Sequence, residues 1–172
     1  NYPTGTDNVA LGDTALDSLT SGNYNTAIGA DALTAKTSGG VNTAIGWKAL
    51  ELGGAGDYNV GLGSKALQNN TGNNNTAVGT QSLLTNTTAS NNTAVGFQSL
   101  KANTTGNANT AVGITSLQAN TTGANNVAVG RCALYANTTA SDNTAVGVSS
   151  MILTTTGCQN TAVGQQSLKN NT

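Results

Sequence analysis

Asn25-Thr26-Ala27-Ile28-Gly29 returns as Asn42-Thr43-Ala44-Ile45-Gly46, as Asn75-Thr76-Ala77-Val78-Gly79, and onward to the end of the chain. Anchored on the glycine, ten copies appear, at Gly12, Gly29, Gly46, Gly63, Gly79, Gly96, Gly113, Gly130, Gly147 and Gly164. The spacing is 17 residues throughout, except for 16 between Gly63 and Gly79. Self-similarity at a short fixed period marks a stacked-repeat architecture, in which each unit packs on its neighbours in sequence.

The columns of the alignment are sharply defined. Asn stands four before the glycine in every copy, as at Asn25, Asn42, Asn75, Asn92 and Asn109. Thr stands three before, replaced by Val9, Val60 and Val127, and Ala two before, with Gly61 as the exception. A branched aliphatic residue always precedes the glycine, from Leu11 and Ile28 through to Val163. Beyond the glycine come Ala or Ser, then Leu (Leu83, Leu100 and Leu117 among them), with Met151 in one copy. Later copies continue with Asn-Thr and then a second glycine or an Ala-Ser corner.

In a strand, side chains alternate, so Thr and Val share one face and Asn, Ala and Gly the other. Each copy is too short for a helical hairpin and rich in poor helix formers. The pattern therefore predicts an all-β fold, a parallel β-solenoid (β-roll) of about ten 17-residue coils, each with two short strands and two corners. Strand spacing of about 4.8 Å makes this a rod on the order of 50 Å long. Stacking turns the Asn column into an amide ladder and the Thr/Val columns into ribs of methyl groups. The expected structural ladder comprises the Asn column, the anchor glycines Gly29, Gly46, Gly79, Gly96 and Gly113, and the leucines, placed in the core of a second strand. The glycine suits a corner with positive φ or a close backbone approach. The residue missing before Gly79 should shorten one corner and leave the ladders in place.

Both faces of Asn-Thr-Ala-Val-Gly are small or apolar, whereas a strand buried on one side shows polar residues on the other. The second face is thus expected to be covered by sister chains. The Ala and Gly columns would permit close approach, and parallel association would let each coil meet its own copy at the same height. Pattern is already running at the first residue and still running at the last, so residues 1–172 are expected to be a single repeat domain, a fragment of a longer fibrous protein.

Asn-Thr-Ala-Val-Gly-x-x-Ser-Leu resembles the Ser-Val-Ala-Ile-Gly-x-x-Ser repeats of trimeric autotransporter adhesin heads, as at Ala94-Val95-Gly96 and Ala111-Val112-Gly113. It is similar also to the Asn-Thr-Ala-Ile-Gly repeats of phage-type tail-fibre proteins, and the resemblance runs through every copy. The Asn103-Thr104-Thr105 arm departs from the shorter adhesin repeat. The resemblance implies side-by-side homotrimers, an extracellular, cell-surface or virion location, and a structural and adhesive role; it implies no particular ligand, and a cell-surface glycan or receptor is the expected partner of such a role.

Composition narrows the remaining classes. Charged residues are 8% of the chain, aromatics 3%, histidine is absent and net charge is -1. That leaves no basic footprint for nucleic acid, and no apolar run reaches the roughly 20 residues of a membrane helix. General acid–base catalysis needs poised groups; the acids are scattered through variable columns, so no enzyme activity and no cofactor are expected. Two lone cysteines, Cys132 and Cys158, lack the ligand count for zinc and read as free thiols or as a disulfide.

The column after the anchor glycine varies most and carries Trp47, Phe97, Ile114 and Arg131, which Tyr135 joins from nearby. These are the candidate surface-binding residues, with subunit contact as the other reading. Asn86, Asn103, Asn120 and Asn137 each begin a formal Asn-Thr-Thr glycosylation acceptor. Two rival functions share the solenoid. One is a self-assembling extracellular filament, and the other an ice-binding face built on a Thr column that includes Thr87, Thr104, Thr121 and Thr138.

Overall fold

A computed structural model describes residues 5–54 and 56–171. Ten three-residue strands, β1 (Val9–Leu11), β2 (Thr26–Ile28), β3 (Thr43–Ile45), β4 (Val60–Leu62), β5 (Thr76–Val78), β6 (Thr93–Val95), β7 (Thr110–Val112), β8 (Val127–Val129), β9 (Thr144–Val146) and β10 (Thr161–Val163), stack in chain order as one parallel sheet. The fold is the expected β-solenoid. Identical residues pair rung on rung, Thr26 with Thr43 and Ile28 with Ile45. The short copy keeps this register, Val60 opposite Thr76 and Leu62 opposite Val78. Its corner absorbs the loss: Asn70 Nδ2 reaches the Gly72 carbonyl two residues on, where Asn86 Nδ2 reaches that of Ala89 three residues on.

The structure corrects the expectation of a second strand. Leucines lie in a pair of tight turns instead. The Ala32 N–H donates to the Gly29 carbonyl at 3.2 Å and the Lys36 N–H to that of Leu33 at 3.2 Å. Between them the chain alternates in hand, with φ 59° at Asp31 and 53° at Leu33, and the same two positions repeat in every copy. Alternation aims successive amides in opposite directions along the rod. Asp31 N–H bonds back to Asp13 at 3.0 Å, and Leu33 N–H forward to Ala49 at 3.0 Å. A left-handed non-glycine residue costs roughly 1–2 kcal/mol. Burying its leucine side chain returns about 1.5–3 kcal/mol, and the inter-coil hydrogen bond adds to that. Leu83, Leu100 and Leu117 are fully buried.

A second correction concerns the faces of the sheet. The Ala column points inward, with Ala27, Ala44, Ala94 and Ala111 fully buried beside the Asn column. Thr and Val point outward, half-buried to exposed. The Ala/Gly face that was expected to meet a partner is therefore the core. The interior is only one side chain deep, so methyl, leucine and amide groups fill it.

The Asn ladder is present and is doubled. Asn42 N–H donates to Asn25 Oδ1 at 3.1 Å, and Asn42 Nδ2 to the same oxygen at 3.0 Å. Its other Nδ2 proton crosses the coil to the Gly56 carbonyl at 3.1 Å. A second buried column, Asn70, Asn86, Asn103, Asn120 and Asn137, stacks from the opposite wall. Both ladders converge on one carbonyl per coil: Gly123 O accepts from Asn109 at 2.8 Å and from Asn120 at 2.9 Å. The four formal glycosylation acceptors stand in this second ladder with no exposed surface. Their amides are thus inaccessible in the folded chain. Thr154 interrupts the column before Asn171, leaving Asn137 Oδ1 and Thr154 Oγ1 without partners.

Lys36 and Gly53 occupy the same column in two successive coils. Gly53 supplies no amide, and the Lys36 ammonium from the coil before fills the gap, donating to the Gly56 carbonyl at 2.5 Å. Lys36 is 1% exposed. Burial lowers its pKa from 10.5 to about 8, against an opposing attraction to Asp57. Between those two values the unfolded chain binds more protons than the folded one, so stability rises with pH there and is flat below about 8. Urea titrations should show the wild type gaining about 2–3 kcal/mol relative to Lys36→Met between pH 7.5 and 10.5. A pH-independent difference between the two proteins would contradict this placement of the charge.

Candidate functional site

Because Ala and Asn turn inward, the outer face of the sheet carries two parallel columns from end to end. One is Thr with Val at three rungs, and the other is Ile, Leu or Val at every rung. Its residues are only partly covered: Ile45 is 39% exposed and Val112 and Val129 are 36% exposed. Nine steps of about 4.8 Å give a ribbon on the order of 45 Å long. A ribbon of this length and apolar character exceeds the scattered surface hydrophobes of an ordinary monomer.

The variable column borders this ribbon, one residue beyond the anchor glycine. Phe97, Ile114 and Arg131 fall on successive coils, linked by Thr115 N–H to Phe97 O at 2.9 Å and Cys132 N–H to Ile114 O at 3.0 Å. Phe97 and Ile114 are exposed, as is Arg131. Trp47 is three coils removed from Phe97 and forms its own cluster. The Lys65 ammonium lies 5.0 Å from its ring centroid and that of Lys48 5.4 Å, within cation–π range. Lys48 also pairs with Glu51 at 2.7 Å. That hydrogen bond holds the Lys48 ammonium above its ordinary range. Tyr135 is exposed at 40%. The structure thus gathers three of the five expected surface residues into one stripe and leaves Trp47 elsewhere.

The cysteines are both free. Cys132 Sγ is 3.3 Å from Thr115 Oγ1. Cys158 belongs to a surface ladder that the sequence conceals. One column, six before the glycine, accepts the backbone N–H of its counterpart in the coil before: Ser90 Oγ from Asn73 at 3.0 Å, Asn107 Oδ1 from Ser90 at 2.7 Å, Cys158 Sγ from Ser141 at 3.3 Å. Asn, Asp, Ser and Cys share only an acceptor atom, so residue type disguises the column. In the other Thr column, hydroxyls donate to the carbonyl of the next coil, Thr87 to Thr104 at 2.9 Å and Thr104 to Thr121 at 3.0 Å.

Among the described residues, no three His, Cys, Asp or Glu side chains are placed to hold a metal ion. Comparison with known protein families, with curated proteins and with solved structures finds no match to this chain.

Proposed function

We propose that the chain is a rigid segment of a surface-displayed fibre, associated side by side as a parallel homotrimer and serving attachment on a virion tail fibre or a cell surface. The observation that supports this most is the outer Thr/Val ribbon. It is apolar, continuous and in the same register at every rung, so parallel copies related by an axis along the rod would meet like residue with like at each height. Burial of such a ribbon between sister chains follows the same hydrophobic logic as a domain core. The variable column then lies at the margin of the association, where Phe97, Ile114 and Arg131 are free to differ between copies without disturbing the stack.

Sedimentation equilibrium tests this reading. The expected mass is about three times the 17.0 kDa chain. Val112→Lys with Val129→Lys should yield monomers with unchanged β circular dichroism, since each lysine projects from an outer face. A well-folded wild-type monomer would rule the assembly out.

Ice binding remains the second reading, favoured by one observation: the Thr column of the sheet lies on the outer face, beside the aliphatic one. A regular Thr/Val ribbon could order water in place of a sister chain. Thermal hysteresis by a monomer would select it, and open-ended fibres in electron micrographs would select the filament.

A further inference from the structure

Coils two to four depart from the later ones in a column that the ribbon does not use. Five and six before the glycine, later copies carry small polar or acidic residues such as Asn73-Asn74, Ser90-Asn91 and Ser141-Asp142. Coils two to four carry Asn23-Tyr24, Gly40-Val41 and Asp57-Tyr58. Tyr24 and Tyr58 are 61% and 59% exposed, with Val41 between them. They project from coils two rungs apart, roughly 9–10 Å along the rod. Gly40 removes the side chain from the middle rung, and a recess of about 590 Å³ opens there, bordered by Tyr24, Tyr58, Val41, Asp57, Thr20 and Ser21.

The gap at Gly40 also interrupts the surface ladder. Asn23 Oδ1 accepts from Thr6 at 2.8 Å and Asp57 Oδ1 from Gly40 at 2.7 Å, but Gly40 offers no acceptor to the Asn23 N–H. The exposed Asn23 amide therefore faces outward without a side-chain partner from the next rung. Ala124 makes the same interruption, with Ala108 and Asn125 rather than tyrosines beside it. The ladder gap alone is thus a feature of the fold; the tyrosine walls are particular to this place.

We propose that this recess binds a neutral saccharide, one sugar ring held against Val41 between the two tyrosines. The chemistry of the lining selects the class. Tyrosine supplies apolar ring faces with a polar edge, which suits the C–H faces of a pyranose. Asp57, Ser21 and backbone groups offer acceptors and donors to ring hydroxyls, in the manner of a pocket with a few convergent polar groups. Among the described residues no cation lines the recess, and the nearby Lys36 ammonium is buried on the Gly56 carbonyl. A phosphate, sulfate or carboxylate ligand would meet the Asp57 carboxylate with no cation in the lining to bind it, because the Lys36 ammonium that attracts Asp57 is buried on the Gly56 carbonyl. This proposal gives the attachment reading a ligand class and rests on it for biological setting. The recess itself lies within one chain, so its test does not depend on trimer formation.

The wild-type chain would be applied to an array of immobilised neutral and acidic oligosaccharides, and free neutral hexoses would be titrated by saturation-transfer NMR up to about millimolar concentration. Binding of neutral sugars is expected, with Tyr24→Ala and Tyr58→Ala each weakening it about tenfold or more and Leu153→Ala, at an exposed position on the coil of Gly147, leaving it unchanged. Both tyrosines are exposed, so the variants should keep the wild-type circular dichroism. Signal in both formats assigns a single ring as the ligand; signal on the array alone assigns a longer surface glycan that includes such a ring. Absence of neutral-sugar binding in both formats, retention of acidic sugars only, or binding indifferent to both tyrosines overturns the proposal. A trimer that binds no sugar would leave the assembly reading standing and remove this one.

Discussion

Gly96→Ala should lower the stability of the chain by about 4 kcal/mol or more, one of the largest single-residue losses available to it. Two effects combine at this position. Its φ is +133°, a region that side-chain-bearing residues rarely enter, and an added Cβ would lie 2.5 Å from the Gly113 carbonyl oxygen and 2.7 Å from its carbon. Those atoms are backbone of the next rung and are held by the sheet, so neither can swing aside. Gly164 separates the two effects within the same molecule. Its φ is +121°, yet an added Cβ meets nothing within 4 Å. Gly164→Ala should therefore cost only the backbone term, about 1–3 kcal/mol. Paired urea titrations of the two variants in the 172-residue chain measure the difference. Equal losses at both sites would mean that close stacking of the anchor glycines contributes nothing.

Asn109→Ala should be nearly as damaging, at about 3–5 kcal/mol, because it orphans groups in a dry interior. Asn109 Oδ1 accepts the Asn126 backbone N–H at 2.9 Å and Asn126 Nδ2 at 3.1 Å, and Asn109 Nδ2 donates to the Gly123 carbonyl at 2.8 Å. Alanine removes all three. Gly123 retains Asn120 at 2.9 Å, but the Asn126 amide hydrogens lose their acceptor. Asn109→Asp is the sharper probe. It keeps the acceptor and the shape, and replaces the donor with an oxygen facing the Gly123 carbonyl. Burial and that contact disfavour the charged form, raising the folded pKa of the new carboxyl above its unfolded value of about 4. The folded chain then binds more protons than the unfolded one between these values. Stability of this variant should accordingly rise as pH falls from 7 toward 4, while Asn109→Ala stays low throughout. A pH-insensitive Asn109→Asp would show that the ladder donor is dispensable.

The reach of sequence reasoning follows from which physical signals repeat. Ladder, register and shortened corner were legible because each depends on one residue type recurring at one spacing, as Asn42 on Asn25 and Asn75 on Asn59. Strand alternation separates Thr/Val from Asn/Ala but does not state which set is inside. With both sets small, that choice required the three-dimensional accounting of the amides. An asparagine present in all ten copies beside alanine was the available clue, since an exposed position tolerates exchange. Left-handed leucines left no trace, because leucine is not a turn residue and its burial, not its backbone preference, sets it there. The second ladder was obscured by its four irregular members Leu19, Lys36, Gly53 and Thr154. The tyrosine recess was missed because its defining feature is the missing side chain at Gly40.

Lys36 and Gly53 also bear on how such a chain can change length. In the uniform stretch from Asn75 to Asn143, gain or loss of a whole unit by unequal crossover would leave every rung above an equivalent one. A crossover falling between Lys36 and Gly53 would instead seat a long ammonium side chain over a bulky amide and leave an empty site one unit away. The latter half of the rod is thus free to vary in copy number, while that one junction ties two adjacent units into an inherited pair.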